Sequence, residues 1–333
     1  MKMLHSYDSK VNNETSQVLG GSEERSGTAF EYALAVSLEK TTSAQIASSP
    51  TIDRTKEKFL QLPSEKRSQI TKCADRAAIY LLEVDSRLTS DTPMTIGFNS
   101  SRNAQVNHDV RDLIVESSAF TIGISCKVNN SDLRHSRLSG TADFVREWGL
   151  ASSGASRIYW EGVKPVFHQL RQMSSKGLRW DDVYPGDPKL RNQKKMSGVV
   201  APVLNCWEQE LLLLIEKEQE LAPRLTRYLL GSKSYWKVVA RVPSSASARS
   251  SVSVQRFNLE GDMPGKLLAM PSKVLGCAIK IGSPSRERIV TCDNDFTFGF
   301  RLHTAESEVI PSLKFAVKGR RFPSELDSVK LRI

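Results

Sequence analysis

The chain of 333 residues is long enough for about two domains or for one large domain. Hydrophobic residues make up 39% of the chain and charged residues 25%, which excludes a fully disordered or collagen-like protein. Lysine and arginine number 47 against 37 aspartates and glutamates, and the net charge of +10 makes nucleic acid a candidate partner without indicating a particular fold.

Residues 1–26 are polar and are predicted to form a flexible arm. A helix with Ser26 as its cap is predicted to follow, because apolar residues then recur at helical spacing: Phe30, Ala33, Leu34 and Leu38. The Ser/Thr-rich residues 41–53 are predicted to form a loop. A second helix is predicted to begin at Ser64, directly after Pro63.

From about residue 110 the pattern changes to β character, which predicts strands over 112–116 and 120–127. Helices are predicted over 159–173 and 203–219, and the serine-rich residues 244–253 are predicted to form an exposed loop. The C-terminal third is predicted to be β-rich, with strands at 236–242, 274–281, 296–302 and 313–317. This order of elements indicates a mixed α/β (α+β) protein.

The compartment is predicted from three absences in the sequence. The longest apolar run, Leu211–Ile215, is bounded by Glu210 and Glu216, so no membrane span is expected. Residues 1–8 lack the apolar core of a signal peptide. The five cysteines form no Cys-x-x-Cys pair, so neither a zinc cluster nor a disulfide framework is indicated. A cytoplasmic location is therefore predicted.

The predicted hairpin over 112–127 contains the residues best suited to chemistry. If Ser118 and Ala119 form the turn, Leu113 faces Ile124 and Asp112 faces Ser125. Because side chains alternate along a strand, Asp112, Ser125 and Lys127 then share the polar face, and the aliphatic residues of both strands share the other. A slip of one residue would separate the acid from the lysine.

An acid beside a lysine suits phosphodiester hydrolysis. Mg²⁺ binds through one or two carboxylates and neutralises developing charge on the phosphate, and a lysine beside the metal can orient or help to deprotonate the attacking water. An Asp, then a strand that ends in (Asp/Glu)-x-Lys, is the PD-(D/E)XK nuclease pattern. The alternative for these residues is an ordinary exposed strand edge.

Further segments of the chain resemble the HaeIII family of type II restriction endonucleases. They occur in the same order as in that family between residues 27 and 323: 27–32, 108–114, 122–127, 135–139 with Asp143, Phe144 and Trp148, 159–160, 165–167, 177–180, 227–231, 257–261, 296–303 and 311–315. The resemblance implies a PD-(D/E)XK restriction-endonuclease-like core, in which helices flank a central mixed sheet, with a β-rich C-terminal region. It also implies Mg²⁺-dependent cleavage of double-stranded DNA at a short palindrome, namely GGCC cut to blunt ends. A companion cytosine methyltransferase would then protect the host DNA.

The resemblance also implies roles for individual residues. Asp112 would be the metal carboxylate, Lys127 the catalytic lysine, and Cys126 would offer its backbone carbonyl to the metal. Ser125 stands where the general motif has an acid, so the site is one carboxylate short. Glu31 on the first helix is the candidate for the missing catalytic and metal-binding carboxylate, with Asp109 as the alternative. A plain exposed helix glutamate is the competing interpretation of Glu31.

The segment Arg134–Arg137 combines two guanidinium groups with His135 and Ser136, which suits contacts to phosphate or to guanine edges. A solvated, positively charged helix start is the alternative. Asn129 is a further candidate DNA contact. At this place the chain departs from the family, which tends to carry histidines after the lysine where this chain has Val128, Asn129 and Asn130. The basic cluster at 314–321 is as readily interpreted as a solvated surface.

The expected domain division is a flexible arm over 1–26, a nuclease core over 27–180 with the catalytic hairpin at 110–127, and a C-terminal region over 181–333 that recognises DNA. Two alternative functions remain. One is a DNA-binding protein that has lost cleavage, which the missing motif acid favours. The other is a structure-specific nuclease with the same fold and the same acid–lysine pair.

Overall fold

The computed structural model describes residues 11–99, 109–150, 154–243, 249–279, 287–304 and 307–333, without the side chains of 11–25 and of His135. The α-helices, numbered in chain order, are α1 (Val11–Thr41), α2 (Pro50–Leu60), α3 (Ser64–Val84), α4 (Phe144–Glu147), α5 (Arg157–Ser175), α6 (Trp180–Val183), α7 (Pro188–Lys195), α8 (Ala201–Lys217) and α9 (Leu221–Leu230). The strands are β1 (Ala44–Ile46), β2 (Met94–Phe98), β3 (Leu113–Glu116), β4 (Thr121–Val128), β5 (Asp132–Ser139), β6 (Tyr235–Arg241), β7 (Ser251–Phe257), β8 (Val274–Ile279), β9 (Glu287–Cys292), β10 (Thr297–His303), β11 (Ser312–Arg321) and β12 (Ser328–Arg332).

The chain divides into two compact units. The first comprises the described parts of 1–131, 233–267 and 325–333, and the second those of 132–232 and 268–324. The boundary expected at 180 falls inside the second unit. The units alternate along the chain instead of following one another, because the strands of the first sheet come from three separate segments of the sequence. The division of function between a nuclease core and a recognition region stays a prediction.

The first unit contains a mixed sheet whose strands follow the order β1-β2-β3-β4-β6-β7-β12. The pairs β1/β2 and β4/β6 are parallel, and the others are antiparallel. Helices α1 and α3 pack their apolar residues against one face of this sheet, where Phe30, Leu34, Leu81, Val115 and Ile124 are buried in one continuous core. This sheet and its helices confirm the predicted mixed α/β class.

The second unit is built on an antiparallel sheet of the order β5-β11-β10-β9-β8, together with α4 to α9. Trp207 on α8 is fully buried, and its ring lies 4.9 Å from the rings of Phe300 on β10 and Phe315 on β11. Its ring also lies 6.3 Å from that of Trp148. The β-rich C-terminal part of the chain is thus confirmed, and this aromatic cluster joins its sheet to the helices.

Several predicted elements match the structure and several differ. Helix α3 begins at Ser64, as predicted, whereas α1 begins at Val11, well before Ser26. Residues 11–25 contain no proline that would prevent the helix from extending through them. Residues 1–10 of the expected arm lie outside the described residues. The predicted loop over 41–53 contains β1 and the start of α2, which Ser49 caps by accepting the Ile52 N–H. In the serine-rich segment, 244–248 lie outside the described residues and Ser251 begins β7, because it pairs with Arg241.

The continuous helical stretch Pro188–Lys217 is long and apolar enough to cross a membrane by length and composition alone. The expectation of no membrane span rests on uninterrupted apolar runs, and polar residues interrupt this stretch. Length and composition are weak grounds for a span, since 44% of the apolar window is buried inside the protein, including Val203, Trp207 and Leu211.

Candidate active site

The predicted hairpin has the register that the sequence indicated. Leu113 pairs with Ile124 and Val115 with Ile122, and these four side chains are buried against the helices. The Asp112 N–H donates to the Ile124 carbonyl at 2.8 Å, which continues the ladder and places Asp112 opposite Ser125. Asp112, Ser125 and Lys127 therefore share the other face of the sheet, which we call the polar face.

The carboxylate of Asp112 is the centre of the polar cluster on this face. Its Oδ2 accepts three hydrogen bonds: from the Lys127 ammonium at 3.0 Å, from the Ser125 hydroxyl at 3.2 Å and from the Cys126 N–H at 2.6 Å. The side chains of Asp112 and Lys127 are 26% and 30% exposed, so the pair remains accessible to a ligand. Burial lowers the pKa of Lys127, but the charge and the hydrogen bond of Asp112, together with the charges of Glu31 and Cys126, outweigh this effect. The pKa therefore lies above its ordinary value, and the lysine is a cation.

Glu31 belongs to the same electrostatic cluster. It lies on α1, which packs against β4, and is half-buried. Burial and the negative charge of Asp112 raise the pKa of Glu31 from 4.5 to about 8, while Lys127 lowers it. Burial raises the pKa of the Cys126 thiol, and the negative charges of Asp112 and Glu31 raise it further. Glu31 is therefore a second carboxylate within electrostatic range of Asp112, in a site whose motif acid is replaced by Ser125.

Asp109, the alternative candidate for the missing carboxylate, is engaged elsewhere. Its Oδ1 and Oδ2 accept hydrogen bonds from the Arg111 guanidinium at 2.8 and 2.7 Å. Burial raises the pKa of Asp109, but the hydrogen bonds from Arg111 outweigh that effect and leave it below its ordinary value. The side chain of Arg111 lies across Gly123, where an added Cβ would collide with its Cδ. Between the two alternatives, this geometry favours Glu31.

Sequence reasoning missed Lys237 on β6. It is the lateral neighbour of Ser125 in the parallel β4/β6 pair, so it extends from the same polar face. Lys237 is only 2% exposed, and its Nζ donates to the Ser131 carbonyl at 2.9 Å. A lysine between the apolar residues Trp236 and Val238 was the available signal, because a buried cation needs polar partners.

Asn129 lies in the turn that directly follows β4, and its side-chain amide bonds to the backbone of Val242. Its Nδ2 donates to the Val242 carbonyl at 2.8 Å, and its Oδ1 accepts the Val242 N–H at 2.9 Å. Its backbone has a φ of 54°, a left-handed conformation that asparagine tolerates better than most residues. The structure therefore gives the amide of Asn129 a role in holding this turn, and a DNA contact from Asn129 stays a prediction.

The segment Arg134–Arg137 lies on β5, at the edge of the sheet in the second unit, and is not a helix start. Arg134 donates to the Tyr228 carbonyl at 2.7 Å, and its guanidinium lies 4.1 Å from the centre of the Tyr228 ring. Ser136 lies on the same face as Arg134 by strand alternation. Arg137 lies on the opposite face, is exposed and pairs laterally with Lys314. The side chain of His135 lies outside the described residues.

The donor set of the polar cluster fits a hard divalent cation. Among the described residues, no three His, Cys, Asp or Glu side chains are arranged as a ready metal site. Mg²⁺ requires less than that, because it keeps several waters and binds through one or two carboxylates. Asp112 and Glu31 supply two carboxylates, and the raised pKa of Glu31 indicates negative charge that a cation would compensate. The backbone carbonyl of Cys126 as a further ligand stays a prediction.

Comparison with known proteins supports the resemblance seen in the sequence. The family model of the HaeIII restriction endonuclease matches residues 27–323, which include Glu31, Asp112, Lys127 and the β5 segment. The type II restriction enzyme HaeIII of Haemophilus aegyptius is 27% identical over 224 residues, which are 63% of this chain and 65% of that protein. The chain therefore matches just under two thirds of the length of this curated relative. No solved structure matches. Because the family model covers most of its length, the chain belongs to the HaeIII restriction endonuclease family.

Proposed function

We propose that the protein is a type II restriction endonuclease that hydrolyses phosphodiester bonds of double-stranded DNA. The observation that carries this proposal is the Asp112–Lys127 pair, whose atoms lie 3.0 Å apart on the hairpin of the mixed sheet. The pair lies inside the region that the family model matches. An acid that can hold a divalent metal, with a cation beside it that can offset phosphate charge, suits metal-assisted phosphodiester hydrolysis.

Asp112 and Glu31, with the Cys126 carbonyl, would hold Mg²⁺. When bound, the metal would neutralise charge on the scissile phosphate and lower the pKa of a coordinated water. The N–H of Cys126 and the hydroxyl of Ser125 orient Asp112 through its Oδ2. Among the described residues, Ser125, Cys126 and Lys127 all donate to Oδ2, which leaves Oδ1 available for a ligand.

Lys127 acts as a cation in this proposal. Its raised pKa keeps the ammonium protonated near neutral pH, so it offsets the charge that develops on the phosphate and orients the attacking water. The 30% exposure of its side chain leaves room for a phosphate oxygen beside Nζ. Its hydrogen bond to Asp112 holds the ammonium next to the proposed metal position before DNA binds.

Arg137 is the proposed DNA contact on β5, because it is exposed, and Arg134, His135 and Ser136 complete the proposed set. Family resemblance supplies the target GGCC with blunt cleavage, and nothing in the charge or spacing of the residues leads to that sequence. It also supplies a companion cytosine methyltransferase, which would protect the host genome. An enzyme that acts on DNA beside such a partner would work in the cytoplasm.

A digest of phage DNA tests this function directly. The purified protein is incubated with phage DNA and MgCl₂, with EDTA as the matched control, and the fragment ends are sequenced. We expect discrete bands with Mg²⁺, none with EDTA, and blunt ends between GG and CC. DNA methylated at GGCC beforehand should resist the digest.

Other results of the digest would separate the alternatives. Binding without any linearisation of plasmid would indicate a DNA-binding protein that has lost cleavage. Cutting without reproducible bands would indicate a structure-specific nuclease. Discrete ends that do not map to GGCC would refute the proposed target and leave the restriction activity in place.

A further inference from the structure

The C-terminal strand β12 adds basic residues to the sheet that carries the candidate active site. Strand β12 pairs with β7, and β7 pairs with β6, which lies next to β4. Lys330 is the lateral neighbour of Ser253, which is the neighbour of Val239, which is the neighbour of Lys127. One lateral row of the sheet therefore joins Lys330 to Lys127.

The side chains of β12 alternate in a way that fixes their face. Val329, Leu331 and Ile333 pack against the core beneath the sheet. Lys330 and Arg332 therefore extend from the opposite face, which is the polar face of Asp112 and Lys127. Both side chains are exposed.

A second row strengthens the positive charge. Arg332 is the lateral neighbour of Ser251, which is the neighbour of Arg241 on β6. Arg241 is exposed and donates to the Asn129 carbonyl at 2.7 Å. Three exposed cations thus extend from the polar face on one side of the active-site pair. Within the part of the chain that the structure describes, no acidic side chain forms an ion pair with Lys330 or Arg332.

The spacing of this surface suits a nucleic-acid backbone. Adjacent strands lie about 4.8 Å apart, so the three steps from Lys127 to Lys330 cover roughly 14 Å. One DNA strand advances about 3.4 Å per phosphate along the helix axis, so about four phosphates fit into that length. Cations spread along lateral rows, with Ser253 and Val239 between Lys330 and Lys127 and with Ser251 between Arg332 and Arg241, match a row of phosphates better than they match a compact anion.

We propose that Lys330 and Arg332 of β12, with Arg241 of β6, bind the DNA backbone beside the phosphate that is cut. This inference rests on the proposed function and extends its DNA-binding surface to a strand outside the family match, which ends at residue 323. Electrostatic complementarity to phosphate carries the assignment. The contacts add affinity without reading sequence, because they reach the backbone only.

The salt dependence of DNA binding tests this surface. The anisotropy of a short labelled duplex containing GGCC is measured in EDTA between about 50 and 200 mM salt, for the wild type and for Lys330→Ala/Arg332→Ala. Each phosphate contact contributes about 0.9 to the slope of log K against log salt, so the double variant should lose about 1.8. The affinity of the wild type should then fall about 12-fold more than that of the variant over this range.

Two further variants make the result specific. Arg54→Ala/Lys56→Ala removes one arginine and one lysine that are exposed on α2, which packs against α1, and this variant should keep the wild-type slope. Lys330→Arg/Arg332→Lys retains both charges and should also keep that slope.

Two outcomes would overturn the proposed surface: equal slopes for the wild type and the Lys330/Arg332 double alanine variant, or an equal loss in the α2 control. Either one can occur while the wild type still cuts plasmid DNA with Mg²⁺, so the surface can fail while the proposed function stands. A wild type that does not cut, but whose slope depends on Lys330 and Arg332, would refute the nuclease and retain a DNA-binding face.

Discussion

Nζ of Lys127 lies 3.0 Å from Oδ2 of Asp112, and the backbone N–H of Cys126, the residue before the lysine, donates to the same oxygen at 2.6 Å. The hairpin therefore fixes the acid and the lysine through both a side chain and the backbone of one strand. Replacing either side chain leaves the ladder between β3 and β4 intact, because the backbone bonds and the buried aliphatic residues remain. Loss of chemistry and loss of folding can thus be separated.

Lys127→Ala should abolish most of the cleavage. The variant removes the cation that offsets the developing phosphate charge, and losing one such group costs about a hundred- to a thousandfold in rate. The measurement is the initial rate of plasmid linearisation with MgCl₂, with DNA affinity measured beside it. If Lys127→Ala cuts at near the wild-type rate, the hairpin is not the active site.

Asp112→Asn should abolish cutting and preserve DNA binding. The amide keeps the shape of the carboxylate but loses the charge that would hold Mg²⁺. In EDTA the affinity for DNA should hold or rise, because a negative charge near the phosphate has been removed. Gel-shift assays in EDTA and cleavage assays in MgCl₂ measure the two effects separately. A loss of DNA binding in EDTA with an unchanged melting temperature would contradict this assignment.

Glu31→Gln should change the pH dependence of stability in the metal-free protein. The pKa of Glu31 is about 8 in the folded protein and 4.5 ordinarily, so the folded state binds more protons between these values. The free energy of unfolding of the wild type therefore falls as the pH rises from about 4.5 to about 8. The neutral glutamine removes this loss, so in EDTA the variant should melt above the wild type at pH 8 by more than at pH 5.

Magnesium supplies the control for Glu31. If this carboxylate helps to hold the metal, MgCl₂ at pH 8 should raise the melting temperature of the wild type more than that of Glu31→Gln. Cutting by the variant should also be slower. In a domain of about 150–250 residues, a shift of about 2–4 °C corresponds to roughly 1 kcal/mol. Equal responses to MgCl₂, with equal cutting rates, would make Glu31 an ordinary helix residue.

The sequence predicted the hairpin register because both strands and their turn are local. Alternation of polar and aliphatic residues with period two fixes which side chains share a face, and a one-residue slip would have buried Asp112. The likeness to a known family, rather than spacing, pointed to Glu31. Its approach to Asp112 depends on the packing of α1 against β4, and no local pattern in the sequence encodes that packing.

The remaining features depend on pairing between distant residues. Arg134–Arg137 lies on a strand because β5 pairs with β11, which lies more than 170 residues further along the chain. Lys237 lies beside Ser125 because β4 and β6 are parallel neighbours, 112 residues apart in sequence. A parallel pair requires a long crossover connection, so its register cannot be derived from the turn chemistry that fixes a hairpin.

Lys237→Met should show that this buried lysine positions the active-site strand. The variant keeps an unbranched side chain as far as Cε but removes Nζ and its hydrogen bond to the Ser131 carbonyl. A buried polar group left without its partner costs about 1–3 kcal/mol, so the melting temperature should fall. Ser131 lies four residues after Lys127, and a displacement of about 1 Å at a reacting group can cost about a hundredfold in rate. Cutting should therefore slow more than DNA affinity falls.

The control for this prediction is Lys233→Met, just before β6. Lys233 is exposed and pairs with Glu260 at 2.8 Å, and exposed ion pairs of this kind contribute about 0–1 kcal/mol. Lys233→Met should therefore melt and cut like the wild type, because it removes a lysine without touching the polar face around Ser125.

Lys237→Arg keeps a hydrogen-bond donor at position 237 and should recover part of the cutting rate lost in Lys237→Met. A Lys237→Met protein that melts lower but cuts at the wild-type rate would limit Lys237 to holding the corner after β4. In that case the position of Lys127 is fixed by its own bond to Asp112, and the neighbouring strand contributes nothing to it.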